Sequence, residues 1–360
     1  MKKFLALALV VAMALSCVSA VAEGNALVSW YTFGDVYLSS VREALDAAFA
    51  AKGIAVTDKD SNGVQQTQTD DVNTAVTTGT NALVINLVDS NATQTAANLL
   101  QVGIDNDLPV VFFNRAVGDQ DAAGALLTTY DKTVFVGTNF DEAGKMQGTM
   151  VGQYVIDHYD EIDLNGDGVI TYVMFKGDMA NQEAIYRTMY GVQYANIELE
   201  KAGKPALQYY DASAPTNGEE GPYLCDMNGT WSQTASNEYM TTILAQYNES
   251  NGNMVELVIA NNDDMAIGAI RALEVAGYNV EGAHTIPVFG VDATDAAKAE
   301  IAAGKMTGSI KQDAVGMADA VATITANLME GKDKFDGMNE AYSVTDGWFV
   351  AIPYSVYTGE

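Results

Sequence analysis

The chain has 360 residues, with 47 Asp and Glu against 18 Lys and Arg, a formal charge of −29. That balance excludes the nucleic-acid and anionic-membrane binders, which neutralise phosphates with Lys and Arg. With 48% hydrophobic residues and only 6 Pro the chain has a core to bury; its length suggests about two domains, and 2 Cys exclude a disulfide framework.

Lys2 and Lys3 precede an apolar run from Phe4 to Leu15, too short to span a bilayer comfortably, and Ala20-Val21-Ala22 follows as a small-x-small cleavage site. Residues 1–22 therefore read as a signal peptide, with a mature chain from Glu23 exported to the periplasm or the outer face of the cell membrane. Leu15-Ser16-Cys17 offers a second reading, a lipoprotein signal lipidated at Cys17, which Ala14 weakens because Leu is usual there. Cleavage after Ala22 leaves Cys225 as the only thiol. Its neighbours Asp226 and Glu220 would raise its pKa, so an inert thiol in a loop is expected.

Beyond that point strands and helices alternate. Leu27–Phe33 is an apolar run, Leu38–Ala51 has helical spacing, and Ile54–Thr57 is strand-like. Val72–Thr78 reads as helix, Ala82–Val88 as a buried strand, Thr93–Asn106 as helix and Pro109–Phe113 as strand. The rhythm restarts with Val134–Gly137, a helix over 142–159, strand Thr171–Phe175, a helix over 183–202 and strand Leu207–Tyr210. Strands follow at Leu257–Ala260, Val288–Val291 and Gly308–Lys311, then helix Val315–Met329 and strand Trp348–Ile352. Continuous apolar strands alternating with helices predict parallel sheets covered on both faces. There are too many strands for one sheet of the usual size, so two Rossmann-like α/β lobes are expected. In such sheets ligands bind beyond the carboxyl ends of the strands.

Polar residues end strand after strand. Asp35 and Tyr37 follow the first, Asn114-Arg115 follow PVVFF, and Asn261-Asn262-Asp263-Asp264 follow LVIA. Asp292 ends VFGV, and Gln312-Asp313 follow SIK. Asp and Asn also favour helix N-caps, the reading adopted for Asp264 and Thr294. As a set, planar Asn, Asp, Gln and Arg side chains suit a ligand whose hydroxyls both donate and accept. Tyr37 and Trp231 offer flat apolar faces for a sugar ring, and Trp231 sits among polar residues, unlike an ordinary core tryptophan.

Asp163-Leu164-Asn165-Gly166-Asp167-Gly168-Val169-Ile170-Thr171 matches the first half of an EF-hand calcium loop. Asp163, Asn165 and Asp167 alternate, Val169 would offer its carbonyl, and Thr171 holds the ninth position. The bidentate Glu expected at the twelfth is replaced by Met174, so a last carboxylate would have to arrive from elsewhere.

Together these stretches resemble the bacterial galactose/glucose-binding proteins, MglB-type sugar receptors of the periplasmic-binding-protein type I family. The likeness runs over nearly the whole mature chain and is strongest at INLVD (85–89), PVVFFN (109–114), DLNGDG (163–168), VIANND (258–263) and IPVFGVDA (286–293). It implies a non-enzymatic protein of two lobes joined by a three-strand hinge, here 23–138 plus 313–350 and 139–312 plus 351–360, closing over a monosaccharide. Asp35, Asn114, Arg187, Trp231, Asn262 and Asp292 match the family's sugar contacts in type, and Tyr37 stands at its stacking Phe. Asn181 and Glu183 replace the outer residues of its His-Pro-Asp, and Gln312 replaces an Asn. Glucose or galactose is thus the leading ligand, with another hexose or a pentose as alternative. The resemblance also implies a structural Ca2+ held by Asp163, Asn165, Asp167, Val169, Thr171 and a distant carboxylate, Glu256. Thr171 stands where the family has Gln and, being shorter, reaches the ion directly or through a water. The implied partners are an ABC-importer permease and, in some members, a chemoreceptor, with the protein itself a monomer.

Three other classes compete. An exported enzyme would have only His158 and His284 to use, neither in an H-E-x-x-H or G-x-S-x-G setting. A two-lobed repressor would need an N-terminal helix-turn-helix and a basic face. A sensory ectodomain would keep the sugar site without transport.

Overall fold

The computed structural model describes residues 24–359 except residue 91; residues 1–22, expected to be a signal peptide, and with them Cys17, lie outside the described residues. The first half alternates strictly: β1 (Gly24–Trp30), α1 (Val36–Ala51), β2 (Ile54–Asp60), α2 (Gln65–Thr77), β3 (Ala82–Ile85), α3 (Thr93–Asp105), β4 (Val110–Phe113), α4 (Gln120–Leu127) and β5 (Thr133–Gly137). Next come α5 (Glu142–Asp157), the single turn α6 (Tyr159–Ile162), β6 (Thr171–Lys176), α7 (Gln182–Lys201), β7 (Gln208–Tyr209), β8 (Leu224–Cys225) and α8 (Gln233–Leu244). The rest is β9 (Leu257–Ala260), α9 (Asp263–Ala276), β10 (Val288–Asp292), α10 (Asp295–Ala302), β11 (Gly308–Lys311), α11 (Ala314–Met329), β12 (Ser343–Thr345), β13 (Phe349–Ala351) and β14 (Ser355–Tyr357).

Two sheets result, in the orders β12-β13-β5-β4-β3-β1-β2 and β14-β11-β10-β9-β6-β7, with β8 also paired to β6. All pairings are parallel except β12 with β13 and β11 with β14. Their strands are apolar on both faces, because helices cover both: Trp30, Leu45, Phe49, Val321 and Ile324 pack on one side of the first sheet and Leu83, Leu99, Phe112 and Phe135 on the other. The second sheet has the same two-sided core. The chain passes between sheets three times: from β5 to α5, from β11 to α11 and from β13 to β14.

Two elements depart from the periodicity reading for identifiable reasons. Helix α2 begins at Gln65, seven residues before the expected start, because it is anchored by a polar side chain. Buried Gln68 donates to Ser29 Oγ (3.1 Å) and the Asn86 carbonyl (2.9 Å) and accepts from Val88 N (3.1 Å). Cys225 lies buried in β8 rather than in a loop, and burial, partly offset by Lys176, pushes its thiol up to about 11. Helix α7 is set against α5 at backbone contact: a Cβ on Gly144 or Gly148 would stand 2.4 Å from the carbonyls of Tyr186 or Tyr190. That close approach fixes the helix whose first turns carry Glu183 and Arg187.

Candidate functional site

Each site residue is delivered by a strand end or a helix start. Asp35, Asn181 and Asn262 are the N-caps of α1, α7 and α9, accepting from Leu38 N (2.8 Å), Ala184 N (3.0 Å) and Met265 N (3.0 Å). Capping and site residence therefore coexist, since one side-chain oxygen caps while the residue still borders the cavity. Asp264, assigned above as a cap, is instead inside the first turn of α9, where Asn262 caps; Thr294 does cap α10. Asn114 follows β4 in a left-handed conformation (φ 59°) and accepts from Asn86 Nδ2 at 3.2 Å.

Three further residues hold left-handed backbones: Trp231 (φ 56°), Asp292 (φ 115°) and Ala293 (φ 49°). Such conformations cost of order 1–3 kcal/mol each and persist where the surroundings over-determine them. At Trp231 the restraint is Asp226, which accepts from Thr230 Oγ1 (2.8 Å), Asn228 N (3.0 Å) and Ser232 N (3.1 Å). Burial raises the Asp226 carboxyl, but those hydrogen bonds outweigh it and hold it below the ordinary range. Asn262 also donates to the Trp231 carbonyl (3.3 Å). The indole lies over Gly177, where any Cβ would stand 2.1 Å from the ring. At Asp292 the restraint is Asp263, which accepts from Thr294 N (2.7 Å) and Ser309 Oγ (2.6 Å), while Ser309 Oγ accepts from Ala293 N (3.0 Å).

The outcome is a small cavity between the lobes, lined by all ten residues expected to contact the sugar: Asp35, Tyr37, Asn114, Asn181, Glu183, Arg187, Trp231, Asn262, Asp292 and Gln312. Leu38 and Arg115 complete the lining. Arg115, which follows PVVFF, is not among the ten expected contacts. Its guanidinium donates to the carbonyls of Leu87 (2.7 Å) and Val88 (3.2 Å), lies 4.1 Å from the Tyr31 ring centroid, and stands 3.8 Å from Asp178 on the opposite lobe. The lobes also meet through Tyr31 Oη to the Gly229 carbonyl (3.0 Å) and Asn181 Nδ2 to Ser90 Oγ (3.5 Å).

Arg187, almost fully buried, is the electrostatic centre. It stands 3.5 Å from Glu183 and 4.0 Å from Asp292, and 5.8 Å from the Trp231 ring centroid. Burial raises the Asp292 carboxyl well above its usual value, against the lowering pull of Arg187, and burial raises Asp35 too. Tyr37 Oη is turned toward Met317 Sδ at 3.8 Å, so this side chain offers the cavity its ring rather than its hydroxyl. Two buried donors have no protein partner, Arg187 Nε and Gln312 Nε2. A cavity with acids, arginines, amides, flat rings and unpaired donors suits an uncharged polyhydroxylated ring.

The calcium-type loop is wound by its own side chains. Asp163 accepts from Gly166 N and Gly168 N (both 2.9 Å), Asn165 from Asp167 N (2.9 Å) and Asp167 from Val169 N (2.9 Å). Glu256, fully buried, does reach this loop. It accepts from Leu164 N (2.8 Å), Asn165 N (3.3 Å), Thr171 N (3.0 Å) and Thr171 Oγ1 (3.2 Å). The donor set is chemically suited to a hard cation. In this arrangement, however, the oxygens face loop amides, and among the described residues no three His, Cys, Asp or Glu side chains converge to hold a metal ion.

Two α/β lobes, three crossings between them and a polar, aromatic-lined cavity in the cleft define a bilobal solute-binding protein. Residues 26–333 match the periplasmic binding protein domain family, and the chain belongs to that family, one of binding proteins rather than enzymes. It is 30% identical over 348 residues to the D-galactose/methyl-galactoside binding periplasmic protein MglB of Haemophilus influenzae, covering 96% of this chain and 93% of that one. It is 27% identical over 305 residues to a putative rhizopine-binding protein of Rhizobium meliloti, 84% of each chain. Among solved structures, an ABC transporter solute binding protein from Clostridium phytofermentans with bound β-D-glucose superposes with TM-score 0.69 at 17% identity, covering 93% of this chain and 94% of that one. A second, from Actinobacillus succinogenes with bound D-allose, gives TM-score 0.68 at 16% identity, covering 94% and 98%. At these identities both structures bear on the fold alone.

Proposed function

We propose that the protein is the exported solute-binding component of an ABC sugar importer, and that it closes over one monosaccharide, glucose or galactose in first place. The observation that carries this is the pair of unpaired buried donors, Arg187 Nε and Gln312 Nε2, in a cavity ringed by planar polar groups from both lobes and by Trp231 and Tyr37. Hydroxyls would complete those donors and donate to Asp35, Glu183 and Asp292 through charge-assisted hydrogen bonds. A missing or inverted hydroxyl leaves one partner unpaired in a desolvated site at about 1–3 kcal/mol, a discrimination of roughly tenfold or more per position. Stacking adds apolar burial without choosing among hydroxyls. A ligand touching both lobes favours the closed arrangement, which a permease would then recognise. The name of the H. influenzae relative, a galactose-binding protein, supports a hexose.

Titration calorimetry against glucose, galactose, allose, ribose, xylose and myo-inositol is expected to give tight binding to one or two hexoses and at least tenfold weaker binding to the pentoses. No heat with any of the six would overturn the reading; a preference for myo-inositol would move it from aldohexoses to cyclitols.

A structural Ca2+ is a second part of the proposal, held by Asp163, Asn165, Asp167, the Val169 carbonyl, Glu256 and Thr171, the last directly or through water. The ion would supply positive charge to a loop holding three acids. Calcium is expected to raise the melting midpoint over EDTA-treated protein while leaving sugar affinity within twofold. Superimposable melts in calcium and EDTA would remove the ion from the description.

A further inference from the structure

The three crossings between the lobes each contribute one buried side chain to the same pair of charged groups. Thr138, the residue after β5, donates from Oγ1 to Glu183 Oε1 at 2.6 Å. Gln312, the residue after β11, accepts through Oε1 from an Arg187 terminal nitrogen at 3.0 Å. Tyr354, the residue before β14, accepts from that nitrogen at 3.0 Å, and its single hydroxyl proton is shared between Glu183 Oε1 (3.1 Å) and Thr138 Oγ1 (3.0 Å). The other Arg187 terminal nitrogen donates to the Asn261 carbonyl at the end of β9 (3.0 Å). All five side chains are buried. Glu183, Arg187 and Gln312 line the cavity, whereas Thr138 and Tyr354 do not.

A hinge needs no such knot to connect two lobes, since backbone suffices. The knot does something else: Glu183 and Arg187 cannot change aim without breaking hydrogen bonds to every crossing, and the crossings cannot rotate without moving Glu183 and Arg187. Breaking a bond in such a buried network strands a polar group away from water at a cost, so the network resists a change of aim.

We propose that Tyr354 and Thr138 are positioning residues that lock the ligand-facing pair Glu183 and Arg187 to all three hinge crossings, so that ligand contact and lobe angle are set by one hydrogen-bond network. The proposal rests on the cavity being the ligand site. It differs from a purely structural role, in which these hydroxyls would stabilise the fold without affecting where the lobes sit.

The test uses Tyr354→Phe and Thr138→Val, which delete one hydroxyl each and keep shape, with Tyr357→Phe in β14, outside the network, as control. Nitroxide labels on exposed positions, one per lobe, report the inter-lobe distance distribution by pulsed EPR. Calorimetry reports affinity for whichever sugar of the panel binds the wild type. Tyr354→Phe is expected to weaken sugar binding about tenfold, the loss of one buried hydrogen bond to a charged group, and to broaden the distance distribution of the sugar-free protein. Thr138→Val should do both to a lesser extent and Tyr357→Phe neither. Wild-type affinity together with a wild-type distance distribution in both hydroxyl deletions would overturn the proposal, even if their melting midpoints fall. Should the wild type bind none of the sugars, the functional reading fails, and the sugar-free distance distribution still decides whether the network sets the lobe angle.

Discussion

Arg187→Met is expected to destabilise the protein by about 3–5 kcal/mol and to abolish measurable sugar binding. The figure is that for removing one partner from a buried charge cluster, where the surviving charges are left uncompensated. Met keeps much of the stem volume, so the loss is electrostatic. Glu183 and Asp292 lose their shared cation, and Asn261, Gln312 and Tyr354 lose a donor. The deficit should depend on pH in a defined direction. Burial already raises the Asp292 carboxyl in the folded state and Arg187 lowers it. Without Arg187 the folded value rises further above the unfolded one, so the variant's stability is best retained below the unfolded value and is lost as pH rises through the folded one. Urea melts at mildly acidic and mildly alkaline pH should therefore show the gap from wild type widening on the alkaline side. A variant that melts and binds like wild type at both would show that Arg187 is not the centre of the site.

Glu256→Gln is expected to cost about 2 kcal/mol and to lower the melting midpoint by several degrees. One amide oxygen can still accept from Leu164 N and Asn165 N. The new amide nitrogen then meets Thr171 N–H, leaving a buried donor facing a donor, while Thr171 Oγ1, which donates to the Met254 carbonyl, can accept from it only in part compensation. Because these bonds tie the loop to β9 without an ion, the substitution should exceed the effect of EDTA on the wild type. Sugar affinity should stay within a few-fold, since neither the loop nor Glu256 lines the cavity. Differential scanning calorimetry of both proteins with calcium and with EDTA checks this. A larger midpoint shift from EDTA than from the substitution would make the ion, not the carboxylate, the principal tie.

The fold was legible because its signals are local and redundant. Short apolar runs such as ALVI and LVIA, bounded by polar turn residues, read as strands buried on both faces, and the polar residues after them announce where such sheets bind. What escaped was polar work done at a distance. Gln68 anchors a helix with almost no apolar stripe, so α2 looked half its length. Asp264 and Asn262 are equally good caps by residue type; only the start of α9, set by its packing on β9 and β10, chooses Asn262. Arg115 carried a signal in its position after PVVFF, but its partner Asp178 is 63 residues away and on the other lobe. The knot of Thr138, Gln312 and Tyr354 is spread over three crossings, the outermost pair 216 residues apart, and has no motif at all.

The acidic balance, the alternation of strand and helix, the polar strand ends and the D-x-N-x-D-G loop were determined by the sequence alone, because composition and short-range spacing are written along the chain. The tertiary structure decided which of those polar groups share one cavity and which donors are left unpaired in it. It also decided that Glu256 answers the loop through backbone amides and that the cavity-facing charges Glu183 and Arg187 are bound to the crossings between the lobes. Those are properties of contacts closed across tens to hundreds of residues, where the geometry of packed lobes, not residue type, selects the partner.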